Sequence, residues 1–270
     1  MNSAAGRALG AQPLKPELST NVSVGLVLRP VDRLNVTVDA YQIRIRDRVI
    51  IGGLYSGAAA LGALEAQGAT IPGYIASSAV SANYYSNGAS TRTSGIDIVS
   101  DYQTALFGHD TIDWTLAVNF NNTSVTHIGT DGNGNTLLSK GGISNLETRS
   151  PRNKVILGGL WRSGRWDVNL RETRYGHTVS NLTNYYGPDA YSLTVLGTVV
   201  NSPKYTTDIE IGYRLSRAWH VALGANNLFD VMPNKVPYNN RYLGINLYDG
   251  AGSNIGVDGG FYYARLNYSF

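Results

Sequence analysis

Between Leu18 and Leu28 the even positions are Leu18, Thr20, Val22, Val24, Leu26 and Leu28, and most of the odd ones are Ser, Asn or Gly. A period of two places one set on each face of an extended strand, so this segment predicts a strand with one apolar side. Pro30 to Arg33 supplies a tight turn, after which Leu34, Val36 and Val38 alternate with Asn35, Thr37 and Asp39. The apolar set then changes parity to Tyr41, Ile43 and Ile45, which predicts a β-bulge near Ala40. The same alternation returns in Ile96, Ile98 and Tyr102, and again in Ile112, Trp114, Leu116, Val118 and Phe120. It continues in Val155, Leu157 and Trp161, then, beyond the very tight Ser163-Gly164 turn, in Trp166, Val168 and Leu170. Tyr205, Ile209, Ile211, Tyr213 and Leu215 carry it onward, followed by Trp219, Val221, Leu223 and Ala225, and finally Tyr262, Leu266, Tyr268 and Phe270.

These segments make about nine strands of roughly ten residues, the length a tilted strand needs to cross a bilayer. Their connections alternate. Those after Leu28, Tyr102, Arg162 and Leu215 are short, and those after Val49, Ile128, Gly176 and Asp230 are long. Outer-membrane barrels have this asymmetry, with short periplasmic turns and long extracellular loops. A soluble β-sandwich or propeller also alternates, but nothing in such folds requires strict alternation of loop lengths.

Charge placement tests the same idea, because Arg or Lys facing lipid at mid-depth costs about 2 to 4 kcal/mol. Asp39, Asp97, Asp101, Asp113, Asp208, Glu210, Arg214 and Arg265 all take the polar parity, and Arg171 joins them. Glu172 and Arg174 are the apparent exceptions, toward the loop end of their strand. Trp114, Trp161, Trp166, Trp219, Tyr213 and Phe270 take the apolar parity near short turns, as an interfacial aromatic girdle would. The expected fold is therefore an all-β antiparallel transmembrane barrel with long extracellular loops.

Composition adds exclusions. No apolar run approaches the roughly 18 to 20 residues of a membrane-spanning helix. The net charge of +3 is scattered without a basic block, which argues against nucleic acid as a partner. The absence of cysteine excludes disulfides within the chain. The first residues, Met-Asn-Ser-Ala-Ala-Gly-Arg, lack the charged start and apolar stretch of a secretory signal. With Phe270 as the periplasmic end, an odd strand number leaves at least one strand upstream, since single-chain bacterial barrels have even counts. Residues 1–270 are thus expected to be the C-terminal region of a larger barrel.

Several phrases then resemble one family, the TonB-dependent receptors. Leu14-Lys15-Pro16-Glu17-Leu18-Ser19-Thr20-Asn21 resembles that family's "LKPE.S.N" strand opening, and Leu34 to Ile45 with Asp47-Arg48-Val49 resembles the strand that follows it. Thr91-Arg92-Thr93-Ser94-Gly95-Ile96-Asp97 is similar to its "TRT.GvD" segment, Asn226-Asn227-Leu228-Phe229-Asp230 to its "NLFD" segment, and Phe270 to its terminal aromatic. Arg265 departs from the glycine often found in the C-terminal assembly signal. The resemblance implies a barrel of about 22 strands, of which these would be the last nine, plugged by an N-terminal domain. It also implies a TonB box coupling uptake of a scarce nutrient to the inner-membrane proton-motive force, and a place in the Gram-negative outer membrane among its lipids. Neither plug nor TonB box is visible in these residues. A TonB-independent pore and a soluble β-rich binding module are the alternatives.

Candidate chemistry is sparse. His109, His127, His177 and His220 lie far apart without ligand spacing, so no metal site is expected. Asp131-Gly-Asn133-Gly-Asn135 starts like a calcium loop but lacks the later bidentate Glu, and reads better as a turn. No catalytic or phosphate-binding motif occurs, and no enzyme activity or cofactor is implied. Gly57 to Gln67 has helix-forming composition within a long loop. Tyr84, Tyr85, Tyr185, Tyr186, Tyr238 and Arg241 lie in loop regions, where they suit capture of a small-molecule nutrient by stacking and hydrogen bonding, or else stabilise the loops. Asp97, Asp101, Asp113, Arg171, Asp208, Glu210, Arg214 and Arg265 are expected to face the lumen, either meeting plug and ligand or pairing across neighbouring strands.

Overall fold

A computed structural model describes residues 3–73, 80–106, 108–192 and 194–270. Nine antiparallel strands form one sheet, and neighbours in the chain are neighbours in space except where a small hairpin intervenes. The sheet runs β1 (Leu18–Leu28), β2 (Leu34–Ser56), β3 (Ser81–Ala105), β4 (Thr111–Ile128), β5 (Asn153–Ser163) and β6 (Trp166–Tyr175). After the separate hairpin of β7 (Thr178–Leu182) and β8 (Gly197–Asn201) it continues with β9 (Lys204–Arg214), β10 (Trp219–Asn226) and β11 (Phe261–Tyr268). β1 and β11 are the two ends of the row.

Residues directly opposite in an antiparallel pair share a face, so the register sorts every side chain. One row reads Leu34, Tyr102, Trp114, Gly159, Leu170, Ile209, Ala225 and Tyr262 from β2 across to β11. The next positions, on the other face, give Asn35, Asp101, Thr115, Gly158, Arg171 and Asp208. The sheet thus has an apolar and a polar side, as the alternation required. On the apolar side large side chains stand uncovered: Val24 is 71% exposed, Leu223 68% and Leu266 61%. A contiguous face of this kind is far beyond what a protein in water leaves open, and hydrocarbon is the solvent that suits it. At its short-turn edge Trp166 pairs with Tyr213 and Trp219 with Tyr268, each with ring centroids 4.6 Å apart.

Connections after Leu28, Ala105, Ser163 and Arg214 are short, and those after Ser56, Ile128, Tyr175 and Asn226 are long. The long-loop end carries α1 (Ala4–Ala8), α2 (Ala58–Ala66) and α3 (Lys140–Glu147). Helix α2 lies within the segment whose composition predicted it. Ala5 and Leu9 pack with Ala63, Tyr84 and Leu137 into a small apolar core there.

Two expectations are corrected. No bulge occurs at Ala40: pairing runs without a break from Leu34 to Ile45, and the first irregularity falls between Ile45 and Arg48, where Asp47 has φ 54°. The parity change is therefore real. Tyr41, Ile43 and Ile45 point to the polar side, while Gln42, Arg44 and Arg46 point to the apolar side. Strands β2, β3 and β4 also run to 23, 25 and 18 residues rather than ten. Their upper halves extend past a bilayer's thickness, and in β3 and β4 these are rich in small, amide and hydroxylated residues, where lipid no longer imposes an alternating pattern.

Candidate functional site

The polar side of the sheet holds all nine charged residues expected to share a face, Asp39 included, and neighbouring strands tie most of them down. Asp97 accepts from Asn119 Nδ2 at 2.5 Å and Asp101 from Thr115 Oγ1 at 3.1 Å. Asp113 accepts from Gln103 Nε2 at 2.8 Å and pairs with Arg162. Arg171 donates Nε and Nη2 to Asp208 Oδ2 at 2.9 and 2.6 Å. Glu210 pairs with Arg265 and accepts from the Tyr263 hydroxyl at 2.9 Å. Arg214 stands opposite His220, and the two line a groove of about 460 Å3 together with Arg162, Asp167, Glu210 and Arg265.

Arg162, Asp167, Tyr263 and the His220 contact escaped the sequence reading. Arg162 and Asp167 were within its reach, because the two-residue turn is Gly164-Arg165, closed by the Ser163–Trp166 pair, so they flank it at equal distance and face one another. The His220–Asp167 contact of 2.8 Å depends on Gly212, whose absent Cβ leaves room for both side chains. Of the expected exceptions, Glu172 accepts from Thr207 Oγ1 at 2.6 Å on the apolar side, and Arg174 donates to Asn153 Oδ1 at 2.5 Å.

The residues expected in loops divide into two groups, because Tyr84 and Tyr85 lie not in a loop but within β3, paired with Gly52 and Ile51 of β2. Tyr84 is only 7% exposed, and its hydroxyl donates to the Leu9 carbonyl at 3.3 Å, within the small core over α1 and α2. Adjacent Tyr85, on the opposite side of β3, is exposed. The Tyr55 hydroxyl donates to Asp131 Oδ2 at 2.6 Å, and Oδ1 accepts the backbone N–H of Asn133 and Asn135, both at 2.8 Å. Burial alone would raise the Asp131 carboxyl, but these hydrogen bonds outweigh it and hold it down at about 2. The Asp-Gly-Asn-Gly-Asn segment is a closed turn whose carboxylate is already satisfied.

Tyr185, Tyr186, Tyr238 and Arg241 are brought together, although two different loops supply them. Tyr186 stacks on Tyr238 at 5.0 Å, and Tyr185 meets Tyr242 edge-on at 5.2 Å and Tyr191 at 5.7 Å. Arg241 Nε donates to the Val236 carbonyl at 2.8 Å, which fixes the turn presenting Tyr238 and Tyr242. Desolvation, then the neighbouring Tyr238 and Tyr191 hydroxyls, raise the Tyr186 phenol above its ordinary range. Beside this cluster lies a cleft of about 380 Å3 lined by Asn145, Arg149, Asn181, Tyr185, Tyr248 and Asp249, among others. Asn240 joins its walls, donating to the Thr183 carbonyl at 3.1 Å and Asn184 Oδ1 at 2.8 Å. Tyr191, Tyr242 and Tyr248 belong with the tyrosines picked from sequence, and their density in long loops was the available signal.

A sheet with one side for lipid, one side for water and unequal ends is the wall of an antiparallel transmembrane β-barrel. The chain belongs to the TonB-dependent receptor-like β-barrel family, whose model matches residues 1–228. Its fold is similar to that of the siderophore receptor PirA from Acinetobacter baumannii, at 20% identity and a TM-score of 0.56, over 95% of this chain and 32% of that one. A mutant of the ferric enterobactin receptor PfeA from Pseudomonas aeruginosa is similar at 19% identity and a TM-score of 0.58, over 95% and 32%. The copper transporter OprC is similar at 15% identity and a TM-score of 0.55, over 96% and 32%. The chain spans about a third of the length of these structures. No curated protein sequence matches it.

Proposed function

We propose that this chain is the C-terminal part of the barrel of a Gram-negative outer-membrane receptor that takes up a scarce small-molecule nutrient with energy from TonB. Its polar side lines the lumen and its long loops face the exterior. The observation that carries this reading is the tyrosine cluster over the polar cleft, built by separate long loops at the end of the sheet where a ligand would arrive. Stacked phenols supply flat apolar surface, and the cleft's amides and hydroxyls supply hydrogen bonds, a combination suited to a siderophore, cobalamin or a carbohydrate. The siderophore class leads, because PirA is described as a siderophore receptor and FpvA of Pseudomonas aeruginosa as bound to pyoverdine. Tyr84 is left out of the contact set because it is buried among loop residues.

The test is binding and uptake by cells displaying the protein, using radiolabelled ferric hydroxamate and catecholate chelates, cobalamin and maltodextrins. One of these should bind and enter only with TonB present. A Tyr185→Ala/Tyr238→Ala variant should bind it about tenfold more weakly, as expected from losing two aromatic contacts of about 0.5 to 1.5 kcal/mol each. Flux of unrelated small solutes independent of TonB would instead establish a passive pore.

A further inference from the structure

The unbroken pairing through Ala40 sends Arg44 and Arg46 to the apolar side of the sheet, and Arg92 lies directly opposite Arg44 on β3. All three side chains are exposed. Arg44 stands ten positions above Leu34, and Arg92 ten positions from Tyr102, the residue paired with Leu34. Ten residues at about 3.3 Å each, tilted about 45°, rise about 23 Å, close to the roughly 25 Å apolar band of such barrels. The arginines therefore stand at the upper rim of the hydrocarbon, where headgroups begin. Lipid-facing charge at mid-depth is strongly disfavoured, but at this rim a guanidinium reaches polar headgroups while its stem covers apolar surface.

Charge at this rim is unbalanced. Among the described residues, none of the three takes part in an ion pair; Arg44 Nε donates only to Gln42 Oε1, at 3.0 Å. On the polar side, by contrast, Arg162, Arg171 and Arg265 each hold a carboxylate. The nearby Glu17 spends one oxygen on the backbone N–H of Val49 at 2.5 Å. Thr20, Ser90 and His127 join the arginines in lining a groove of about 620 Å3, adding hydroxyl and imidazole donors. Three guanidinium groups with neutral donors, none of them in an ion pair and with Glu17 as the nearby carboxylate, leave a net positive groove that matches a phosphate ester rather than a neutral headgroup.

We propose that this groove on the outward side of β1–β3 binds the phosphorylated headgroup of an outer-leaflet glycolipid, whose acyl chains lie along Val22, Val24 and Ile96 below it. The inference rests on the outward side facing lipid and is independent of which nutrient the loops take. Purified protein in nonionic detergent is incubated with diphosphorylated lipid A, its dephosphorylated form, or inorganic phosphate, and bound lipid is counted by native mass spectrometry. Wild type should retain the diphosphorylated lipid, and high salt should weaken retention. Removing one arginine should cost about fivefold and removing all three about a hundredfold. An Arg44→Gln/Arg46→Gln/Arg92→Gln variant is compared with Arg217→Gln, a change in a short turn at the opposite end that should leave retention unaltered. Folding is checked by the heat-modifiable migration of barrels in gels, and single variants serve if the triple variant fails it. Equal retention by folded variants, equal binding of the dephosphorylated lipid, or displacement by millimolar inorganic phosphate would each overturn the proposal.

Discussion

Arg149 and Asp249 meet in a two-point ion pair, Nη2 to Oδ1 at 2.5 Å and Nε to Oδ2 at 3.3 Å, joining loops that are a hundred positions apart in the chain. The carboxylate side chain is 5% exposed and the guanidinium 21%. Burial opposes the charge on Asp249, but the Arg149 contacts prevail and hold its carboxyl below the usual range. A depressed native value means that the stabilisation is complete above the unfolded carboxyl's value, about 3.9, and is lost as pH falls through the lower native one. Acidification below about pH 4 should therefore loosen these loops first, seen as faster amide exchange at 176–182 and 249–254 while the sheet stays protected. Arg149→Met, which strands the buried carboxylate, should cost about 3 kcal/mol of local stability and speed that exchange already at neutral pH.

The neighbouring loops depend on a different bond. Tyr55 reaches Asp131 from the top of β2, and Tyr84 lies 3.1 Å from the same hydroxyl. Tyr55→Phe keeps the ring packed on Tyr84 but removes a hydrogen bond to a charged group, at a cost of about 1.5 to 3 kcal/mol. Limited proteolysis should then cut near Gly132 and Gly134 several-fold faster. Added calcium should protect neither protein, because the Asp131 oxygens are already occupied by the turn and Tyr55.

The sheet was legible because lipid and water impose opposite demands on alternate residues. From Ile112 to Phe120 only the small Ala117 departs from that pattern, and the structure follows it residue by residue. Above the bilayer the constraint lapses, so β2 and β3 beyond Arg46 and Arg92 carried no alternation strong enough to read. The parity change after Val38 was visible, and a bulge was the natural inference if apolar residues must face lipid. In fact Tyr41 faces the polar side to fill space over a glycine, and Ile43 and Ile45 lie near the rim, where the rule has relaxed. Tyr84 and Tyr85 illustrate the same loss: once β3 includes them, adjacency alone puts them on opposite faces, one buried and one free. The cleft was out of reach, since nothing local to Arg149 points to Asp249.

Charge pairs on the polar side should matter little for folding. Arg171 is 53% and Arg265 50% exposed at the side chain, and pairs this open contribute about 0 to 1 kcal/mol. Arg171→Gln and Arg265→Gln should each leave the temperature of the heat-modifiable gel transition within a few degrees of wild type. A large fall in either would show that the polar side is drier than a water-filled lumen allows.

Gly95 should be the least replaceable position in β3. It lies opposite Tyr41 on β2 and Asn121 on β4, and a Cβ there would overlap the Tyr41 ring and stand 2.8 Å from the Phe120 carbonyl oxygen. This gives a physical reason for the glycine in the Thr91–Asp97 phrase: it lets an aromatic from the next strand lie flat over the sheet. Gly95→Val should destabilise by about 1 to 3 kcal/mol through overpacking. Tyr41→Ala removes one of the two clashes but leaves the backbone oxygen in place, so the Tyr41→Ala/Gly95→Val pair should recover only part of the loss. A double-mutant cycle on thermal unfolding in detergent measures that coupling directly. Full additivity would mean that Tyr41 does not rest on Gly95, and complete rescue would mean that the Phe120 carbonyl yields freely.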